Sequence, residues 1–169
     1  MNQPIILTQD AFNSLLANLV ELEEGIDEII DVFFREPSKE AEELKRVLNE
    51  YIQWLDATVN RIKIDENSDN DFPYAVVGSE VVVEDVGNKE NYCYKLVSPL
   101  KTKVNSNEIS FLSPMGKAML LKKISDVFVV EAPGGKFNYK IKSVAISADS
   151  NPGGSGRKSD VAEQANLVG

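Results

Sequence analysis

The 169-residue chain contains no histidine. A Ser/His/Asp triad, an imidazole general base and a His-ligated metal site are therefore all excluded from it. Its single cysteine, Cys93, cannot form an internal disulfide. Lying between Tyr92 and Tyr94 in a predicted strand, with no base beside it, that cysteine reads as a packed thiol. No window approaches the roughly 18 consecutive apolar residues of a membrane span. The first eight residues hold neither a cation nor an apolar run long enough for a secretory signal. A soluble cytoplasmic protein, with no membrane partner, is the simplest expectation. Cations are also scarce: 18 Lys and Arg stand against 27 Asp and Glu, for a net charge of -9. That balance disfavours tight binding to phosphate backbones, and no sequence-specific nucleic-acid contact is expected. With 43% hydrophobic and 27% charged residues, the composition is nonetheless that of a folded chain.

The charge is unevenly spread. Residues 1–73 hold 17 acidic and 6 basic side chains, whereas residues 74–148 hold 7 and 10. The first part is thus at -11 and the second at +3, which suggests two jobs. In the first part, Phe12, Leu15, Leu19, Leu22, Ile26, Ile29 and Phe33 follow one another in alternating steps of three and four, the seam of a coiled coil. Thr8 is placed to cap this helix, Asp10 lies in its first turn, and Pro37 forbids its continuation, so it ends near Phe34. A second seam reads Ala41, Leu44, Leu48, Tyr51, Leu55, Thr58 and Ile62, with Ser38 as its cap. The connection is so short that the helices must be antiparallel, and each spans roughly 32 Å at 1.5 Å per residue. The expectation for residues 1–66 is an acidic helical hairpin.

Leu16, Val20, Ile30, Phe34, Val47, Ile52, Trp54 and Val59 lie off the seams. That surplus apolar surface calls for packing against the second part of the chain or for a contact between copies. Residues 67–73, within a polar acidic stretch that starts at Asp65, read as a linker. From 74 to 148 the pattern turns to β, with predicted strands over 80–85, 92–97, 108–112, 127–131 and 137–144. Between the third and fourth lies a short helix capped by Ser113, with Pro114 in its first position. The fold class expected is α+β, a hairpin followed by a small antiparallel sheet with one helix. Residues 149–169 have almost no large apolar side chains and are expected to form a flexible tail.

Three stretches of the β region are more specific than composition. They run from Val77 to Asp85, from Ile109 to Asp126 including Ser113-Pro114-Met115-Gly116-Lys117, and from Ala132 to Ile141 including Pro133-Gly134-Gly135. In these the chain resembles the GreA/GreB family of bacterial transcript cleavage factors. The resemblance implies an FKBP-like C-terminal domain that grips RNA polymerase at the rim of its secondary channel, and a hairpin that enters the channel. The chain would be an accessory factor acting on the polymerase active site rather than an enzyme. It would hold no cofactor of its own, sharing the polymerase magnesium through acidic residues at the hairpin tip. The family's polymerase-contacting region falls on Ser113, Pro114 and Gly116.

The tip departs from the family pattern. Where typical members have longer arms and a tip resembling Gly-Asp-Leu-Lys-Glu-Asn, this chain reads Phe34-Arg35-Glu36-Pro37-Ser38-Lys39-Glu40. The nearest acidic candidates for magnesium are Asp31, Glu36 and Glu40, although carboxylates at such positions also serve as a solvated face or as partners of a helix N-terminus. Leu112 replaces the Asp or Asn that usually precedes Ser-Pro, and Leu121 replaces the glycine before the lysine pair. The shorter finger is also similar to the regulator of nucleoside diphosphate kinase group, whose plan lacks a cleaving tip. Two further readings stand beside the resemblance. One is an FKBP-like peptide-binding or prolyl isomerase module using Phe111, Phe128, Phe137 and Tyr139. The other is a scaffold self-associating through the hairpin, against the monomer otherwise expected. Lys101, Lys103, Lys117, Lys122 and Lys123 are candidates for a basic patch facing an acidic partner.

Overall fold

The computed structural model describes residues 3–101 and 104–148. The segment 149–169, expected as a tail, lies outside the described residues, as does Lys103. Helix α1 spans Gln9–Phe33 and α2 spans Lys39–Val59. Both caps are the residues their chemistry suggests: the Thr8 hydroxyl accepts from the Ala11 N–H at 3.2 Å, and the Ser38 hydroxyl accepts from the Ala41 N–H at 3.1 Å. Along the two seams, Leu15, Leu19, Leu22, Ile26 and Ile29 are buried against Leu48, Tyr51, Leu55 and Thr58. Each large apolar side chain so removed from water is worth about 1.5–3 kcal/mol. At the turn the seam opens, and Phe33 is 47% exposed.

The second seam does not run to Ile62 as a helix. Asn60 ends α2, and Ile62 begins a three-residue strand, β2 (Ile62–Ile64), which pairs in parallel with β1 (Ile5–Leu7). The sequence reading contained no such pair. It ties the two ends of the hairpin together at its base, because backbone groups that leave a helix need new partners and find them in each other.

The second region is a five-stranded sheet of β3 (Ser79–Asp85), β4 (Asn91–Val97), β5 (Glu108–Ser110), β6 (Val127–Ala132) and β7 (Gly135–Ile146). Its spatial order is β5-β4-β3-β7-β6, and its pairs are antiparallel except for β5, which runs parallel to β4. The short helix α3 (Pro114–Met119) follows β5, and β6 is the next strand. Alternation on β3 sends Ser79, Val81 and Val83 into the core and Glu80 to solvent. The start of β5 is held by Glu108, whose carboxylate meets Lys101 at 2.5 Å and accepts from the Asn105 N–H at 2.8 Å.

One hydrophobic core runs through both regions, from Leu15 and Tyr51 of the hairpin to Phe111, Met119 and Ile141 of the sheet region. Of the surplus hairpin side chains, Ile52 and Val59 are buried, and Trp54 meets Tyr74 edge to face at 4.9 Å. Val20 and Val47 stay 48% and 37% exposed. Residues 65–72, although largely exposed, are hydrogen-bonded at both ends. The Asp65 N–H donates to the Leu7 carbonyl and the Ser68 hydroxyl to that of Ile6, while the Phe72 N–H donates to the carbonyl of Val144.

Candidate functional site

Residues flanking both turns singled out by the sequence line one groove, although Ser113, Pro114 and Gly116 themselves do not. A cavity of about 840 Å³ lies between the end of the hairpin and the start of α3. Its apolar walls are Phe33, Phe34, Leu44 and Val47 on one side and Phe111, Leu112 and Leu120 on the other. Leu48, Lys39, Glu40, Glu43 and Lys117 complete the lining, so the cavity carries charges of both signs. No local sequence signal announces the groove, since its two walls are more than 60 residues apart in the chain.

The α3 wall is tightly built. The Ser113 hydroxyl accepts from the Gly116 N–H at 3.0 Å and itself donates to the Ser110 carbonyl at 2.6 Å. Gly116 is buried, and a Cβ there would lie 2.0 Å from that same carbonyl oxygen, so no side chain fits without moving the backbone. Pro114, at the first helical position, is exposed. Ser113 and Gly116 therefore shape the turn, and Pro114 is what the turn presents. Leu121 adopts φ +65°, the left-handed conformation that glycine takes at no steric cost. Its N–H donates to the Ala75 carbonyl at 2.7 Å.

The hairpin wall is looser. Asp31, Glu36 and Glu40 are all exposed, but they do not converge. Asp31 and Glu36 line a small depression at the turn together with Arg35 and Lys45, whose positive charges offset theirs. Glu40 lines the larger groove instead. Among the described residues no three Asp, Glu or Cys side chains form a group able to hold a metal ion. Nearby, Arg46 ion-pairs with both Glu43 and Glu50, and its hydrogen bond holds the exposed Glu43 carboxyl below the usual carboxylate range.

Other candidates divide cleanly. Phe111 and Phe128 are core residues, at 2% and 5% exposure, while Phe137 lies open on the β6–β7 hairpin. Tyr139 stacks on Phe128 at 5.9 Å. Burial pushes the Cys93 thiol up, with the Glu80 charge adding to it, the opposite of what a nucleophile needs. Lys101 is engaged by Glu108, and among the described members of the proposed basic patch Lys117 lines the groove. No helix among the described residues is long and apolar enough to cross a membrane.

Comparison with known proteins converges on one family. A family model described as "Transcription elongation factor, GreA/GreB, C-term" matches residues 73–146. Transcription elongation factor GreA of Syntrophobacter fumaroxidans is 36% identical over 104 residues, which cover 62% of this chain and 67% of that protein. GreA of Thermosipho africanus is 24% identical over 155 residues, covering 85% of this chain and 98% of the relative. Among solved structures, the GreA/GreB factor of Nitrosomonas europaea superposes with a TM-score of 0.43 at 20% identity, covering 85% of this chain and 99% of that one. The Gfh1 protein of Thermus thermophilus gives a TM-score of 0.38 at 24% identity, covering 84% and 99%. With a C-terminal region that matches the family model and a hairpin that precedes it, the chain belongs to the GreA/GreB family of transcription elongation factors.

Proposed function

We propose that the protein binds bacterial RNA polymerase through its C-terminal region, directs the acidic hairpin into the secondary channel, and modulates elongation without stimulating transcript cleavage. One observation carries this reading. A GreA/GreB C-terminal region exposes Pro114 at the start of α3, and the hairpin's three candidate carboxylates are split between two depressions. The turn supports attachment to the polymerase. Against a metal-positioning tip stand the positive charges of Arg35 and Lys45, which share the depression of Asp31 and Glu36 and oppose a cation there, while Glu40 faces the larger groove. The acidic flank of α1, with Glu21, Glu24, Asp27 and Glu28 exposed, suits a channel that admits cations.

The test is a halted, backtracked elongation complex incubated with the protein. The expected result is association with the complex and a changed rate of nucleotide addition, with RNA no shorter than polymerase alone produces. No association in a pull-down with core polymerase would remove the whole proposal. Shortened RNA whose formation depends on Asp31, Glu36 or Glu40 would remove its non-cleaving part.

A further inference from the structure

We infer that the free edge of β6 is a docking surface for β6 of a second copy of this chain, paired antiparallel about Val129 so that two five-stranded sheets join across a twofold axis. The strand ends the sheet order, and among the described residues its one strand partner is β7. Its open side is not blunted. No proline or register shift interrupts Val127–Ala132, Val127 and Val129 are 60% and 50% exposed, and Glu131 is held by Lys136 of β7 at 3.4 Å.

The backbone fixes which residues face that side. Ala132 and Gly135 close the turn Pro133-Gly134, and at the other end of the ladder the Ile141 N–H donates to the Asp126 carbonyl at 2.9 Å. Hydrogen-bonded pairs recur at every second residue of an antiparallel ladder. Phe128 and Val130 therefore bond to β7, and the N–H and C=O groups of Val127, Val129 and Glu131 point outward. Two such strands bond when outward-facing residues stand opposite each other, which happens when Val129 faces Val129 of the second copy and Val127 faces its Glu131. Sliding by two residues keeps that parity but carries Glu131 past the end of the facing strand.

Side chains single out the second copy as the occupant. Residues directly opposite share a face, so Val129 meets Val129 across the axis and Phe128 stands against Val130 on the buried face. Glu131 arrives beside Val127 of the second copy, whose neighbour on β7 is Lys140. Lys140 is available: Glu84, opposite it on β3, lies 4.0 Å from Lys142 instead, and no ion pair of Lys140 is found among the described residues. The strand is thus its own complement in backbone, apolar surface and charge. A strand pair alone buries less than the roughly 1,200 Å² of a stable interface, so a dissociation constant on the order of 100 μM is expected. The pair uses neither the hairpin end nor Pro114, and it stands apart from the function proposed above.

Sedimentation equilibrium of the full chain from about 5 to 500 μM is expected to show a monomer–dimer equilibrium of that strength. Val129→Pro, which removes an outward N–H and no β6–β7 hydrogen bond, should weaken it about ten-fold or more. Val129→Lys, which sets two cations on the axis, is the second variant should the first not fold. Glu131→Lys and Lys140→Glu should each dimerise about five-fold more weakly alone, whereas an equimolar mixture of the two associates at the native strength, because each cation then meets a carboxylate across the axis. A chain that stays monomeric at the highest concentration would overturn the inference. So would association that Val129→Pro and Val129→Lys leave unchanged, or a mixture no stronger than its parts, since these outcomes would place the contact or the register elsewhere.

Discussion

The turn at the hairpin end and the turn at the start of α3 use the same local grammar and end in different states. Each has a serine cap with a proline next to it, Pro37-Ser38 at the hairpin end and Ser113-Pro114 at α3. The Ser38 hydroxyl accepts one hydrogen bond, and its surroundings are exposed side chains. The Ser113 hydroxyl makes two, over a glycine packed against a carbonyl. The difference teaches that a helix cap is a minimal device, worth about 1 kcal/mol by itself. It becomes a rigid landmark only where tertiary packing uses up the space around it. On this reading the α3 turn is the fixed contact and the hairpin end the adaptable one.

The sharpest way to break that contrast is Gly116→Ala. With 2.0 Å to the Ser110 carbonyl, the methyl group forces the turn apart, and a loss of about 3 kcal/mol or more in denaturant unfolding is expected, together with loss of polymerase association. A loss under about 0.5 kcal/mol would show the turn to be as yielding as the tip.

Tyr51→Phe comes next. It leaves the buried Val77 N–H without its acceptor, an expected cost of about 1–3 kcal/mol at neutral pH. The same residue sets a pH limit. Burial raises the Tyr51 phenol well above its ordinary value of 10.0, so the folded state holds that proton more tightly than the unfolded one. Its contribution is complete below about pH 10 and falls as pH rises further. Urea unfolding followed from pH 8 to 11 should therefore decline more steeply for the native sequence than for Tyr51→Phe.

The caps separate by a smaller margin. Ser113→Ala should cost about 1–2 kcal/mol and Ser38→Ala nearer 0.5–1 kcal/mol, and equal losses would erase the distinction between the turns. The smallest effect is expected at the tip. Alanine at Asp31, Glu36 or Glu40 should move stability by less than about 0.5 kcal/mol, because all three side chains are in solvent. RNA length in backtracked complexes should not change either.

Much of the fold was legible in periodicity and punctuation. The alternating spacing from Phe12 to Phe33 gave α1, Pro37 marked its end, and Thr8, Ser38 and Ser113 cap where their chemistry suggests. Ile62 misled, because an apolar residue at the right spacing extends a helical seam whether or not the backbone stays helical. The parallel partner that claimed it, Ile5, lies 57 residues away. The site was legible one wall at a time. Phe33, Phe34 and Phe111 stood out as apolar residues, yet nothing local says that they face one another. Likewise, Asp31, Glu36 and Glu40 lie close in sequence, and only the fold separates Glu40 from the other two.

By itself, the sequence determined the elements, their caps, the acidic first half and the family of the C-terminal region, because spacing, capping chemistry and local motifs act over a few residues. Tertiary structure alone decided that the hairpin packs on the sheet region, that Tyr51 meets Val77 and that the hairpin end shares a groove with Phe111, Leu112, Lys117 and Leu120. Those contacts join residues far apart in the chain, and their energy comes from burial and close fit, which no short stretch of sequence encodes.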